Sequence, residues 1–101
     1  MKECFAAGRA PGNESAACEG VHQAHHWIKQ QVLGREIPKE RLEEALGDRR
    51  GVSRVCDKHH QWISNHRIRF TREELPESVE GFADEHRLGW VLDFYYGQRA
   101  A

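Results

Sequence analysis

In "CDKHH", residues 56–60, a cysteine and a histidine stand two residues apart and a second histidine follows at once. This spacing constrains the fold more than any other feature, because C-x-x-H at a strand-to-helix turn brings two ligands to one zinc ion. The chain has 101 residues, 39% of them hydrophobic. Its length makes it one domain with a small core, and a small core gains from a metal staple. Cys4 and Cys18 are the remaining cysteines, and the Gly/Pro/Asn/Ser-rich stretch "AAGRAPGNESAA" between them reads as a loop flexible enough to bring them together. Three cysteines cannot all pair with one another, and seven histidines accompany them, so a metal is favoured over disulfides. Cys4, Cys18, Cys56 and His59 would complete a tetrahedral zinc site. The opposing reading makes the cysteines small buried hydrophobes.

No run of about 18 apolar residues exists, which argues against a membrane span. "MKECFAAGRAPGNES" lacks the apolar segment of a signal peptide, so a cytoplasmic address with reduced thiols is expected. The net charge of -1 hides a segregation. Residues 47–72 carry seven basic and two acidic side chains, and residues 73–101 carry two basic and seven acidic. A basic block beside histidines is what a phosphate-binding face looks like. The alternative is a solvated basic face answered by the acidic tail.

The residue pattern predicts a mixed α+β fold. Val21 to Ile28 reads as extended, with "KQQVLGRE" adding a turn of helix that stops near Gly34. Pro38 opens a helix, "PKERLEEALGD", that stops at Gly47. "GVSRVC" reads as a strand, and Asp57 as the N-cap of a helix "KHHQWISNH". Thr71 and Glu74 have capping-box spacing, opening a helix that runs through Val79, Phe82 and Ala83 towards Gly89. "WVLDFYY" then packs back on the body and ends at Gly97. Trp27 and Trp62 could stack on bases, but core packing is the preferred reading.

His60 lies about 100° round the helix from His59 and so faces away from the zinc ligands. Its natural partner is His25 or His26, adjacent residues that point to opposite faces of an extended chain. One of them can hold a catalytic metal with His60 while the other stays free to take a proton from water. A nuclease needs those two roles together. The opposing reading is a pair of half-exposed surface histidines.

Taken together, "C…C-x6-HHW", "DRRGVSRVCDKHH" and the following helix resemble the HNH endonucleases, in particular the small zinc-stapled members common in bacteriophages and actinobacteria. The tail "ELPESVEGFADEHRLGWVLDFYYG" is similar to their C-terminal extension, so the resemblance covers nearly the whole chain. It implies a ββα-metal (His-Me finger) core over residues 1–72 and a helical extension over residues 73–101 that packs on that core. It implies His25 as a catalytic-metal ligand, His26 as general base and His60 as the second metal ligand. Cys4, Cys18, Cys56 and His59 match the structural zinc set. The implied activity is hydrolysis of double-stranded DNA with Mg²⁺ or Mn²⁺, and Arg49, Arg50, Arg54, Arg67 and Arg69 would grip the phosphate backbone. A homodimer would decide nicking against double-strand cutting, and a phage packaging protein is a partner by analogy only.

Two departures stand against the family pattern. Gly51 occupies the place of the family's middle Asn, which ties the loop across the ββ turn and orients the base. Ser64 stands where a helical ligand is expected, with Asn65 or His66 as substitutes after a small shift. Both departures point to the alternative, a catalytically weakened or inactive zinc-stapled DNA-binding or adaptor protein.

Overall fold

The computed structural model describes residues 4–97; residues 1–3 and 98–101, at the ends of the two expected segments, lie outside the described residues. The architecture is α+β, as the sequence pattern predicts. Strand β1 (His22–His26) pairs with β2 (Val52–Cys56) in a two-stranded sheet. Between them lie α1 (Gln30–Glu36), α2 (Lys39–Leu46) and a 3-10 turn (Arg49–Gly51). After β2 come α3 (Asp57–Ser64), a second 3-10 turn (Arg72–Glu74), α4 (Glu77–Glu85) and α5 (Gly89–Tyr96). No helix among the described residues is long and apolar enough to cross a membrane.

Three local expectations are corrected. Helix α1 does not stop near Gly34 but continues to Glu36, where the Ile37 amide closes its last turn on the Leu33 carbonyl at 2.9 Å. Burial of Val32 and Leu33 outweighs the roughly 1 kcal/mol that a helical glycine costs. Asp57 does not cap α3. Cys56 does, its sulfur accepting from the His59 amide at 3.4 Å, while the Asp57 carboxylate accepts from Gln23 and Gln61 at 3.0 Å each. Finally, the Thr71–Glu74 capping box is present but closes only the short 3-10 turn. Pro76 forces the preceding Leu75 into extended backbone (ψ 148°) and starts α4 as a separate helix.

The chain divides into two compact units. One comprises the residues up to His25 together with Ser53–Arg69; the other comprises His26–Val52 and the residues from Phe70 onward. They are built differently. In the second unit α1, α2, α4 and α5 close an apolar core around Leu33, Val79, Phe82 and Leu92. Trp27 is 2% exposed in it, which settles that indole as core. Arg72 is buried there as well, donating to both Glu80 oxygens at 2.7 and 2.8 Å and to Asp93.

The first unit has little apolar interior. Its buried hydrophobic side chains among the described residues are Ala6, Val55, Trp62 and Ile68, besides the two cysteines Cys4 and Cys56. Trp62 is therefore core too. Gly20, with a φ of 83°, turns the chain from Cys18 into β1, and a Cβ there would stand 2.6 Å from the Cβ of Asp57. The left-handed backbone and the contact with the start of α3 both require glycine. Gly20→Ala is expected to lower stability by about 1–3 kcal/mol, read as an earlier thermal transition; an unchanged midpoint would refute this packing.

Candidate metal centre and the histidine pair

Strand β2 ends by delivering Cys56 to the first turn of α3, and one turn later the helix presents His59. The Cys56 sulfur lies 2.9 Å from His59 Nδ1. Cys4 reaches the same point from the N-terminal segment. Its sulfur accepts from the Cys56 amide at 3.3 Å, and the neighbouring Phe5 amide donates to the Arg54 carbonyl at 2.7 Å. Cys18 completes the set, its sulfur 3.7 Å from His59 Nδ1. Candidate ligand atoms of Cys4, Cys18, Cys56 and His59 all lie within 4.8 Å of one another. Sulfurs around a tetrahedral zinc are about 3.8 Å apart, given bonds of about 2.3 Å. The four side chains therefore fit a structural zinc.

Protonation supports this fit. His59 is fully buried and its Nε2 lies 2.8 Å from the Arg9 carbonyl. A carbonyl only accepts, so Nε2 carries the proton and the Nδ1 lone pair is left facing the sulfurs. Burial pushes the Cys56 thiol up, but the hydrogen bonds around it, the His59 amide first among them, outweigh that and hold it down at about 6. Cys18 is pushed up to about 11, by desolvation first and then by the Cys56 and Cys4 sulfurs beside it. Three sulfurs around one negative charge form a pocket that a dication relieves. The sequence shows all four of these ligands by spacing and type. The Arg9 carbonyl carries no sequence signal, because a backbone acceptor has no residue identity.

On one face of β1, Gln23 reaches Asp57 and His25 meets His60, both partners lying on α3. The two imidazoles stand edge to face with centroids 5.3 Å apart. Two imidazoles on one tetrahedral ion have centroids about 5 Å apart, so a shared cation fits this spacing. Among the described residues no third histidine, cysteine or carboxylate comes close enough to join them in a three-ligand group. Ser64 is the last residue of α3, Asn65 caps it and accepts from the Arg67 amide at 3.3 Å, and His66 lies beyond the helix in left-handed backbone (φ 63°). His26 belongs to the second unit. Burial lowers its pKa below the usual histidine value, and its Nε2 lies 3.4 Å from the Gln30 amide nitrogen.

The arginines of the basic block have varied surroundings. Arg50 donates to both Asp48 oxygens and reaches Glu85 at 3.1 Å, and Arg67 pairs with Glu14. Arg54 Nε donates to His22 Nδ1 at 2.9 Å, and the Arg69 carbonyl accepts from Arg9. Arg49 is exposed in the first 3-10 turn. With Arg72 buried on Glu80, the acidic tail answers part of the block directly. Asp48, Glu85 and His86 also come within 4.8 Å of one another, but Arg50 already lies on both carboxylates, which makes this an ion-pair network.

Gly51 has a physical reason of its own. A Cβ there would stand 3.1–3.4 Å from the ring of Phe82, which is 1% exposed. The Gly51 carbonyl also accepts from the Trp27 amide at 3.1 Å, a backbone bond between the residue before β2 and the residue after β1. Gly51→Asn is expected to cost about 1–3 kcal/mol by overpacking against Phe82. Urea denaturation reads the loss, and a variant as stable as the parent would contradict it. Neither Phe82 nor this close approach is visible in the local sequence.

No protein-family model, curated protein or solved structure matches this chain.

Proposed function

We propose that this protein is a metal-dependent DNA endonuclease of the HNH type, with a ββα-metal core formed by β1, β2 and α3 and stapled by zinc at Cys4, Cys18, Cys56 and His59. The observation that carries the reading is the edge-to-face pair His25–His60 at 5.3 Å, with His26 as the next residue on the strand. A divalent cation held by His25 and His60 would supply positive charge to the scissile phosphate and its departing 3′ oxygen. Two neutral imidazoles suit Mn²⁺, Ni²⁺ or Zn²⁺ better than Mg²⁺, which prefers an all-oxygen shell. His26, held mostly neutral by its lowered pKa, takes the proton of a water that attacks phosphorus in line. Arg49, Arg54 and Arg69 hold backbone phosphates, and Arg50 and Arg67 join them by exchanging carboxylates for phosphate. Double-stranded DNA is the substrate, and a homodimer would convert nicking to double-strand cutting.

Nicking of supercoiled plasmid in Mg²⁺, Mn²⁺, Ni²⁺ and Zn²⁺ tests this reading. Cleavage strongest in the metals that favour nitrogen ligands is the expected result, and binding without cleavage in all four refutes it. That second result favours an adaptor, for which a different observation speaks. Trp90, Phe94 and Tyr95 on α5 are 53%, 77% and 46% exposed and, with Val32, Arg35 and Val91, line a cleft of about 150 Å³. Exposed aromatics around a cleft mark protein-docking surfaces, and a packaging protein of a phage is the partner this second reading would give them.

A further inference from the structure

The residue after the candidate base is held on every side. The Trp27 amide donates to the Gly51 carbonyl at 3.1 Å, and the Trp27 carbonyl accepts from the Tyr96 hydroxyl. Its indole meets the rings of Phe70 and Tyr96 edge to face, with centroids 5.2 and 6.1 Å away. The peptide plane between His26 and Trp27 is thereby fixed from Gly51, and the following plane is fixed from the end of α5. The first plane carries the His26 Cα and the second holds the first in place, so together they anchor the backbone on the C-terminal side of His26. The Tyr96 phenol is a dependable donor, because burial pushes its pKa up to about 12.

We propose that Tyr96 is a positioning residue for His26: its hydroxyl, by holding the Trp27 carbonyl, fixes the backbone from which the general base reaches water. The proposal rests on the nuclease reading for its catalytic consequence. It gives the end of α5 a task in the reaction that is separate from the exposed aromatic face of the same helix. A misplacement of about 1 Å is enough to cost a reaction of this kind up to about a hundredfold.

Tyr96→Phe keeps the ring packing and removes only the hydroxyl. In the zinc-loaded protein the expected result is a fall in kcat of about tenfold with KM for plasmid unchanged. Val79→Ala is the control. Val79 is fully buried in the same core, so this variant loses thermal stability but should keep wild-type kcat wherever it is folded. Should Tyr96→Phe fail to fold, Phe70→Leu, which loosens the other side of the indole, must give the same split between kcat and KM.

Nitrogen NMR of the His26 ring, without DNA, separates failure of this proposal from failure of the nuclease reading. If wild type and His26→Ala nick equally, the nuclease reading falls. The positioning proposal then stands or falls on whether Tyr96→Phe shifts the His26 ring-nitrogen signals at fixed pH while leaving those of the exposed His66 in place. Unchanged His26 signals, or an equal loss of kcat in Val79→Ala, would overturn it.

Discussion

Stripping zinc with a strong chelator will unfold the first unit and leave the second folded. The two units rest on different physics. The second buries a continuous apolar core around Leu33, Val79, Phe82 and Leu92. Among the described residues the first has only Ala6, Val55, Trp62 and Ile68 as buried apolar side chains besides its cysteines, and its centre is the Cys4–Cys18–Cys56–His59 group. Structural zinc sites in small domains contribute about 10–16 kcal/mol near neutral pH, far more than those four side chains supply by burial. Hydrogen exchange will show the difference residue by residue. After chelation the amides of β2 and α3 should lose protection while those of α4 and α5 keep it. Cys56→Ser should do the same, because it removes a ligand and also the sulfur that caps α3. Uniform loss across both units, or no loss in α3, would contradict this division of labour. Zinc uptake at pH 7 should also release protons, because the Cys18 thiol is pushed up to about 11 in the metal-free chain.

His26→Ala should lower nicking by about 10²–10⁴, the usual contribution of a positioned general base, with zinc content and DNA affinity unchanged. The sign of the pH dependence follows from its environment. Desolvation lowers the His26 pKa below the ordinary histidine value, which favours the neutral ring that can accept a proton. Activity should therefore rise as pH increases through that lowered value and level off above it. In His26→Ala that limb should vanish. Cleavage that survives the substitution at full rate belongs to another protein in the preparation, and the role assigned to His26 would be withdrawn.

The sequence made the metal ligands legible because ligand chemistry depends on residue type and short spacing. Cys56 and His59 sit one helical turn apart, and Cys4 and Cys18 are the remaining two of three cysteines, a number that cannot all pair. That His60 would meet His25 or His26 was legible from strand alternation and the 100° helical step, and the structure makes the partner His25. Elements also read correctly where local signals agreed, as in α2 between Pro38 and Gly47.

What the local sequence did not show was decided by partners distant in sequence. Asp57 has the chemistry of an N-cap but is drawn to Gln23, 34 residues away, and to Gln61, leaving the cap to Cys56. Glu14, Glu80, Glu85 and Asp93, which answer Arg67, Arg72 and Arg50, lie outside the basic block, so which arginines they reach had no local signal. Gly51 looked like a loss, yet Phe82, in a helix 30 residues on, occupies the space that a side chain there would need.

X-ray absorption at the zinc edge of the protein as purified reads the centre of this account directly. Three sulfurs at about 2.3 Å and one nitrogen at about 2.0–2.1 Å, on about one zinc per chain, are the predicted result. A shell of nitrogen and oxygen alone, or a folded first unit that carries no metal, would contradict it.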